Sequence, residues 1–393
     1  MDALELSRLQ FALTTSLHFL FVVLTLGLAP LVAIMQTRAH FGREPVLERM
    51  TRFWGQIYVI NYALGIFTGL VMEFQFGMNW SGLSHFAGEV FGAPLALETL
   101  VAFFLESTFL GLWIFGWNRI PRGLHLTLIW LVTLTAYASA FWIMVANSFL
   151  QNPVGSVLAG DRLKLVDFGA LLTNPNLGMA LGHVIGASMW AASFVIIGVS
   201  AYHFLRRTPD PEFFVRSTRL AATVAILGGG VVVGFGYAQF GVVGGTQPGK
   251  FDTVGDHLSL MMALGNLLAL VSTFVLPFML FGRWYARRRL FLRFLILLVP
   301  LPFAASILGW LVREIGRQPW LVYGRLTVAD AVSPGVTREM VLVSLVGFTA
   351  VLGLLALIDW FLIMRAVRRG PGDVALGAPP PAEADRRAPA LTF

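Results

Sequence analysis

The chain has 393 residues, of which 57% are hydrophobic and only 12% are charged, and it carries a net charge of +7 at pH 7. Because about a quarter of the residues in soluble domains are charged, this composition excludes an ordinary soluble protein and predicts a polytopic membrane protein. The absence of cysteine from the sequence excludes disulfides, iron–sulfur clusters, thiolate-bound metals and covalently attached c-type haem.

Nine apolar segments predict an all-α fold. A helix needs about 20 mainly apolar residues to cross the hydrocarbon of a membrane. Segments of this kind lie at roughly 10–36, 53–77, 94–117, 123–149, 180–205, 216–243, 256–282, 289–311 and 340–365. The first is too long for a cleavable signal peptide and lacks a cleavage site. We expect one transmembrane domain at 1–369, followed by a disordered cytoplasmic tail at 370–393 that is rich in proline and alanine.

The lysine and arginine residues predict the orientation. Twenty of the 28 lie in the loops after spans one, three, five and seven or beyond the last span. Because basic loops stay in the cytoplasm, the N-terminus is expected outside a bacterial or archaeal cytoplasmic membrane and the C-terminus inside. This distribution indicates topology and no nucleic-acid partner. The segment "LVREIGRQPW" at 311–320 then lies outside, so Arg313 and Arg317 depart from the rule and have another role.

Ionisable side chains inside the spans are functional candidates because they are costly in a membrane. His18 lies in span one, about eight residues from its outer end. Glu98 and Glu106 lie in span three, and on a regular helix they are about 12 Å apart along the axis and rotated by about 80°. Both carboxyl groups can therefore face one interior. His40, His85, His125 and His203, in loops or at span ends, are expected to be solvated or interfacial.

Further candidates lie near the outer ends of other spans. His183 is in the first turns of span five, Met261 and Met262 are near the start of span seven, and Glu314 closes span eight. His257 lies on the same face as Met261, as a structural neighbour or a competing ligand. Histidine with methionine suits low-spin haem iron, whereas a single histidine or carboxylate leaves one side of the iron open to a gas. The shared depth of these groups therefore favours haem.

Each of these residues also has a structural interpretation. A histidine in a membrane helix is often a hydrogen-bond partner of another helix, and Met261 is more often a packing residue than a ligand. The paired carboxyl groups could instead bind a coupling ion in a haem-free secondary transporter. A b-type cytochrome membrane anchor is a further alternative. The glycine run "LGGGVVVGFG" in span six indicates close helix packing.

Several stretches are similar to a known family. They are "LSRLQFALTTSLHFLFVVLTLGLAPLVAIM", "NYALGIFTGLVMEFQFGMNWS", "FGAPLALETLVAFFLESTFLGLWIFGW", "ANSFLQNP" and "GRQPW". The chain resembles subunit I of the cytochrome bd-type terminal oxidases, which reduce dioxygen to water at haem and usually take electrons from quinol. The resemblance implies electron transfer from a low-spin b haem to a high-spin haem pair, with protons taken up through a carboxylate route.

The resemblance also assigns the haem ligands. His18 matches the axial ligand of one high-spin haem, and Glu314 matches that of the other. His183 and Met261, with Met262 as second choice, match the ligands of the low-spin b haem. The implied cofactors are a low-spin haem b, a high-spin haem b and either haem d or a third b-type haem. Which high-spin haem belongs to His18 and which to Glu314 stays open.

Other matching residues have roles beside the haems. Glu98 matches an acidic residue beside the oxygen-reducing haem, and Glu106 matches the next carboxylate of the proton route. Arg317 is expected against haem propionates, where a guanidinium group offsets negative charge. Arg317 is thus counted with the catalytic residues, and Trp310 with those that contact the cofactor.

The sequence departs from the family where quinol binds. The family has a long outward-facing loop between spans six and seven, whereas this chain has "GGTQPGKFDTVGD". Lys250 matches a quinol-associated lysine and is the candidate quinol-binding residue. Gly255 replaces the family's glutamate, and Ser259 replaces an arginine near the low-spin haem. The electron donor is therefore either quinol or a redox protein.

The resemblance implies partners as well. The family pairs this subunit with a similarly folded second subunit in the membrane and sometimes with small single-helix subunits. We therefore expect at least a heterodimer embedded in membrane lipid.

Overall fold

The computed structural model describes residues 1–378, except for the side chains of residues 101–103. Within this part, nine helical segments are long and apolar enough to cross a membrane, which confirms the predicted all-α polytopic fold. They are Ala3–Gly42, Pro45–Met78, Ser81–Phe115, Arg122–Gln151, Phe168–Leu205, Pro211–Thr246, Gly255–Phe274, Arg289–Ile315 and Arg338–Arg369. Each of them overlaps one predicted span. The orientation in the membrane stays a prediction.

Several of these segments consist of more than one element. The α-helices are α1 Ala3–Gly42, α2 Pro45–Met78, α3 Ser81–Thr99, α4 Ser107–Phe115, α5 Arg122–Gln151, α6 Phe168–Leu172, α7 Pro175–Leu205, α8 Pro211–Thr246, α9 Lys250–Thr253, α10 Gly255–Phe274, α11 Leu276–Leu280, α12 Arg289–Leu297, α13 Pro300–Ile315, α14 Val328–Ala331 and α15 Arg338–Arg369. A π-helix, Leu100–Glu106, joins α3 to α4, and a short 3₁₀-helix, Trp284–Arg287, precedes α12. The strands are β1 Ser156–Ala159, β2 Arg162–Leu165, β3 Trp320–Val322 and β4 Leu326–Thr327.

Two predicted spans are interrupted in the structure. The segment at 289–311 is divided between α12 and α13, and the segment at 256–282 is divided between α10 and α11. Pro300 is the first residue of α13, and Pro277 is the second residue of α11. A proline lacks the N–H that a continuing helix needs and suits the first turn of a new helix. A hydropathy profile does not detect these interruptions.

Helices α1 and α7 form the centre of the bundle, and α10 and α15 lie at its periphery with mostly exposed faces. At Gly27 of α1, an added Cβ would lie 2.0 Å from the carbonyl oxygen of Ser188 in α7. The close approach of the two helices therefore requires glycine at this position. The glycine run of α8 has a similar effect, since a Cβ at Gly228 would lie 2.9 Å from Met189. The interpretation of this run as a packing surface is confirmed.

The π-helix lies between the two glutamates predicted to face one interior. Its wider turns change both the rise and the rotation between Glu98 and Glu106, so the regular-helix geometry expected from the sequence is wrong in detail. Glu106 is the last residue of the π-helix and is buried. Short π-helical segments inside α-helices are frequent at functional sites. Both glutamates still line the same cavity, which is described below.

The chain is packed beyond the last helix. Residues 370–378 are the described beginning of the predicted tail, and the rest of the tail lies outside the described residues. The backbone N–H of Ala375 donates to Gln56 Oε1 at 2.7 Å, and Arg52 Nη1 donates to the carbonyl oxygen of Gly377 at 2.5 Å. Leu376 is buried against the main core. The ordered chain therefore continues at least eight residues past the predicted domain boundary.

Candidate functional site

A large cavity lies between helices α1, α2, α3, α5, α7, α8, α10 and α13. Its volume is about 940 Å³, near the upper end of the roughly 300–1,000 Å³ range of small-molecule sites. Its wall is mainly apolar, with polar and ionisable side chains among the lining residues. The predicted residues that line it are His18, Glu98, Glu106, His183, Lys250, Met261, Met262, Trp310, Glu314 and Arg317.

The hydrogen bonds of His18 define the tautomer of its ring. Its Nδ1 lies 2.7 Å from the hydroxyl of Thr68 in α2. The Thr68 hydroxyl uses its own proton to donate to the carbonyl oxygen of Gly65 at 2.6 Å, so it accepts from His18 Nδ1–H. Nε2 is then the unprotonated nitrogen and can bind a metal. A hydrogen bond that orients a histidine in this way is typical of metal ligands.

His183 has the same arrangement with a different partner. Its Nδ1 lies 2.8 Å from the carbonyl oxygen of Val232 in α8. Because a carbonyl only accepts, Nδ1 carries the proton and Nε2 is left for a metal. The ring is packed against Gly236, where an added Cβ would lie 3.0 Å from both Cε1 and Nδ1. The glycine run of α8 therefore also makes room for His183.

Replacing Gly236 by alanine is expected to displace the His183 ring and to weaken haem retention by about 10-fold or more. A Cβ at 3.0 Å is closer than packed atoms normally approach, and the Val232 hydrogen bond prevents the ring from moving away. The measurement is the low-spin haem content of the purified protein. Gly234→Ala is the matched control, because no atom lies within 4 Å of its added Cβ. Equal haem content in the two variants would contradict the role of Gly236.

The two candidate methionines lie on α10 across the cavity. Met261 and Met262 both line it. The sulfur of Met261 packs against α13, since a Cβ added at Gly309 would lie 3.1 Å from it. Met261 therefore faces the interior of the bundle, as expected for a ligand paired with His183. The choice between the two methionines stays a prediction.

Glu314 is held by hydrogen bonds to both carboxylate oxygens. Oε1 accepts from Asn147 Nδ2 of α5 at 2.9 Å, and Oε2 accepts from Arg317 Nη2 at 2.6 Å. Asn147 also accepts from Arg313 Nε. The end of α13 is thereby fixed to the end of α5. Asn147 lies in the quoted stretch "ANSFLQNP", but the sequence alone does not indicate its role.

Arg317 retains hydrogen-bonding capacity on the cavity side. Its side chain is only 2% exposed, and Nη2 pairs with Glu314. Nε and Nη1 are buried and have no partner among residues 1–378. Buried guanidinium groups without partners are costly, so these atoms indicate an anionic ligand. A haem propionate fits this position, and Trp310 lines the cavity one helical turn before Glu314 in α13.

Lys250 lies at the same end of the cavity, with its amine surrounded by protein oxygens. Nζ donates to Gln151 Oε1 at 2.8 Å, to Gln247 Oε1 at 2.9 Å and to the carbonyl oxygen of Arg313 at 3.0 Å. Burial, together with the nearby guanidinium charges of Arg313 and Arg317, lowers the pKa of Lys250 to about 6. The lysine thus links the short α8–α10 connection to the segment that carries Glu314.

Two of the predicted carboxyl groups, Glu98 and Glu106, also line the cavity. Glu98 Oε1 accepts from the hydroxyl of Ser139 in α5 at 2.8 Å. Glu106 is 4% exposed and also lines the cavity, beside Tyr62 of α2. Among the described residues, no group of three or more His, Asp or Glu side chains could hold a metal ion directly. Iron carried by a porphyrin, with one or two protein ligands, suits these separate donors better.

The sequence matches a protein family over almost its whole length. The sequence model for "Cytochrome bd terminal oxidase subunit I" matches residues 6–259 and 256–371. The chain is 36% identical to "Cytochrome bd ubiquinol oxidase subunit 1" of Bacillus subtilis (strain 168), and the match covers 94% of each chain. It is 47% identical to "Cytochrome bd-II ubiquinol oxidase subunit 1" of Escherichia coli (strain K12), over 58% of this chain and 45% of that protein.

The fold is also similar to a solved structure. The bd oxidase from Geobacillus thermodenitrificans superposes with a TM-score of 0.88, covering 94% of this chain and 99% of that chain. The sequence identity is 22%, so this similarity concerns the fold alone.

The fold and the cavity define a polytopic membrane protein with a large internal ligand site. The chain belongs to the family of cytochrome bd terminal oxidase subunit I. It is therefore a subunit of a respiratory terminal oxidase and a multi-pass protein of the bacterial cytoplasmic membrane. Membership of this family was predicted from the sequence and is confirmed.

Proposed function

We propose that this subunit holds a low-spin b haem between His183 and Met261, and a high-spin pair at His18 and Glu314. One observation supports this assignment above all: both histidines present an unprotonated Nε2 to a cavity that also contains Glu314 and Arg317. When bound, the haems supply electron transfer and the reduction of dioxygen to water. One of the high-spin pair is a haem b, and the other is a haem d or a further b-type haem.

The protein residues fix the position and charge of these groups. Thr68 and the Val232 carbonyl hold Nδ1 of the two histidine rings, so that each Nε2 is left for a ligand in the cavity that both residues line. Arg317 Nε and Nη1 donate to a propionate, and Arg317 Nη2 holds the Glu314 carboxylate. Such charge-assisted hydrogen bonds are about twice as strong as neutral ones. Arg317 thus connects Glu314, the proposed iron ligand, to a propionate of the haem.

Protons reach the cavity through Glu106 and Glu98. Reduction of one dioxygen to two waters consumes four protons, and a membrane interior offers few groups that can carry them. Glu106 is buried at the end of the π-helix, and Glu98 lies further out beside Ser139. With the N-terminus outside, this order leads from the cytoplasm towards the high-spin pair. Protons taken from inside and electrons delivered from outside move charge across the membrane without a pump.

Quinol is the electron donor that we propose. Both B. subtilis and E. coli relatives are named ubiquinol oxidases. Beside Lys250 the cavity is lined by Tyr237, Phe240 and Phe251, and the Phe240 and Phe251 rings are 4.8 Å apart. These aromatic side chains from α8 and α9 provide an apolar surface for a quinol ring. A redox protein acting from the outer side is the second candidate, favoured by the shortness of the connection that carries Lys250.

Replacing Lys250 by alanine is expected to lower quinol-dependent oxygen uptake by about 10-fold. The variant loses three hydrogen bonds that tie the α8–α10 connection to the Glu314 segment. The measurement is oxygen uptake by the purified complex with a soluble quinol analogue and, in parallel, with a reduced cytochrome. Lys164→Ala on the exposed strand β2 is the control. Turnover with the protein donor alone would contradict the quinol proposal.

The complex contains more than this subunit. Members of the family work in the membrane together with a second subunit. We propose that this chain pairs with a similarly folded second subunit and with small single-helix subunits, surrounded by lipid. Family membership favours the oxidase over the haem-free transporter and the b-type anchor that the sequence left open.

A further inference from the structure

A second pocket lies apart from the cavity described above, and among the described residues it shares none with that cavity. Its volume is about 430 Å³. It lies where the end of α7 meets the short 3₁₀-helix and the start of α12. Arg207, Arg287 and Arg289 line it, and its other described lining residues are apolar. This pocket, called the arginine pocket below, therefore presents three positive charges and no described acidic side chain.

The three arginines of the pocket have no ion-pair partner within residues 1–378. The acidic side chains at this end of the bundle are held by other arginines. Arg49 pairs with Asp210, and both Arg216 and Arg283 pair with Glu212. Guanidinium groups around one space repel each other, and an anion between them offsets that repulsion. The charge of the pocket therefore favours an anionic ligand from outside the described chain.

The arginine pocket lies at the boundary of two membrane-spanning segments. Leu205, which lines it, is the last residue of the segment Phe168–Leu205, and Arg289 is the first residue of the segment Arg289–Ile315. Two spans thus meet the pocket at the level where the hydrocarbon ends and the lipid headgroups begin. Trp284, at the start of the 3₁₀-helix, is 45% exposed, and tryptophan is enriched at this level of a membrane. A ligand in the pocket is therefore surrounded by lipid headgroups.

Helix α12 also presents an apolar surface beside the pocket. Leu290, Phe294 and Leu297 are exposed and recur every three or four residues, so they share one face of the helix. Arg289 and Leu292, three residues apart on a neighbouring face, line the pocket. The helix thus offers guanidinium groups to a headgroup and an apolar face to acyl chains. A free phosphate ion would use only the first of these surfaces, so the arrangement favours a phospholipid.

We propose that the arginine pocket binds the phosphate group of an anionic phospholipid, whose acyl chains lie along the exposed face of α12. Guanidinium groups donate paired hydrogen bonds to phosphate oxygens, and basic pockets between transmembrane helices bind anionic headgroups. The bound lipid connects the end of α7 to the start of α12, where like charges would otherwise repel. The positive-inside rule accounts for arginines at this end of the bundle, but it does not require them to line one pocket. The inference goes beyond the proposed function and is independent of the haem ligands.

The test is lipid binding by the intact complex, measured by native mass spectrometry in detergent. The probes are phosphatidylglycerol, phosphatidylcholine and inorganic phosphate. We expect one phosphatidylglycerol to stay bound at a detergent concentration that removes phosphatidylcholine. The double variant Arg207→Gln, Arg289→Gln should bind this lipid about 25-fold more weakly, because each basic residue near a membrane surface contributes about fivefold. Inorganic phosphate should not displace the lipid, since it lacks acyl chains.

Two single variants are matched controls. Arg288→Gln removes a charge from the same run of arginines, at a position that is not among the described lining residues of the pocket. Arg43→Gln removes an arginine at the end of α1 whose backbone is left-handed like that of Arg207, with φ of 50° and 53°. All the substituted arginines are exposed, so the variants keep the packed core. Both controls should retain the phosphatidylglycerol.

Three results would overturn the proposal. The first is equal retention of phosphatidylglycerol in the double variant and in the controls. The second is equal retention of phosphatidylcholine and phosphatidylglycerol by the wild-type complex. The third is displacement of the lipid by inorganic phosphate at the same concentration, which would indicate a site for a soluble anion. Since lipid binding is measured and not oxygen uptake, none of these results depends on the haem assignment.

Discussion

Replacing His18 by alanine is expected to remove one of the high-spin haems and to lower oxygen uptake by about 100-fold or more. We propose His18 Nε2, which the Thr68 hydrogen bond leaves unprotonated, as the ligand of this haem iron. Alanine has no donor to replace it. The measurement is the haem-to-protein ratio by pigment extraction, together with oxygen uptake by the same preparation. The low-spin haem that we propose at His183 should remain, because His183 is on a different helix.

Two variants control this experiment. Thr68→Val leaves the His18 ring in place but removes the hydrogen bond that orients it, so we expect a loss of about 10-fold. His40→Ala, at the opposite end of α1, removes a histidine outside the cavity and should have no effect. A His18→Ala protein with all its haem would contradict the assignment of this residue as a ligand.

Glu106→Gln is expected to slow oxygen uptake by about 100-fold while the reduced haem spectrum stays nearly intact. The substitution preserves the shape of a side chain that is 4% exposed, but it removes the carboxyl group that we propose as a proton carrier. The measurement is steady-state oxygen uptake, paired with the dithionite-reduced spectrum. Glu106→Asp keeps the acid on a shorter side chain and should recover part of the rate. Unchanged turnover in Glu106→Gln would remove Glu106 from the proton route.

Hydropathy was sufficient to predict where the chain crosses the membrane. All nine predicted spans correspond to apolar helical segments, because about 20 apolar residues are required in each case. The interruptions before α11 and α13 were missed, although Pro277 and Pro300 mark them in the sequence. The π-helix carries no such signal. The π-helix packs against α5, as α3 and α4 do, and these contacts belong to the tertiary structure.

The residues of the cavity could be predicted, but their hydrogen-bond partners could not. His18, His183 and Glu314 share a depth that follows from the span boundaries. Their partners come from other helices: Thr68 is 50 residues from His18, and Asn147 is 167 residues from Glu314. Such pairs depend on the rotation of each helix about its axis. An apolar helix with little amphipathic pattern gives no indication of that rotation.

Two histidines show the same limit of prediction, because their hydrogen-bond partners could not be predicted from the sequence. His125 and His203 were expected to be solvated or interfacial, and this prediction is wrong, because both are buried. His125 Nε2 donates to the carbonyl oxygen of Trp113, while its Nδ1 accepts from Gln36 Nε2, each at 2.8 Å. Trp113 Nε1 in turn donates to Gln36 Oε1 at 2.8 Å. A complete hydrogen-bond network makes a polar side chain compatible with burial, and sequence position alone does not reveal it.

The metal ligands are tested most directly by a high-resolution cryo-electron microscopy map of the purified complex. We expect three tetrapyrroles in the cavity, with the irons bound by His18 Nε2, by the Glu314 carboxylate, and by His183 Nε2 together with the sulfur of Met261 or Met262. Arg317 should contact a propionate. A map in which the tetrapyrroles lie away from His18, His183 and Glu314, or in which the cavity contains none, would contradict the assignment of these residues.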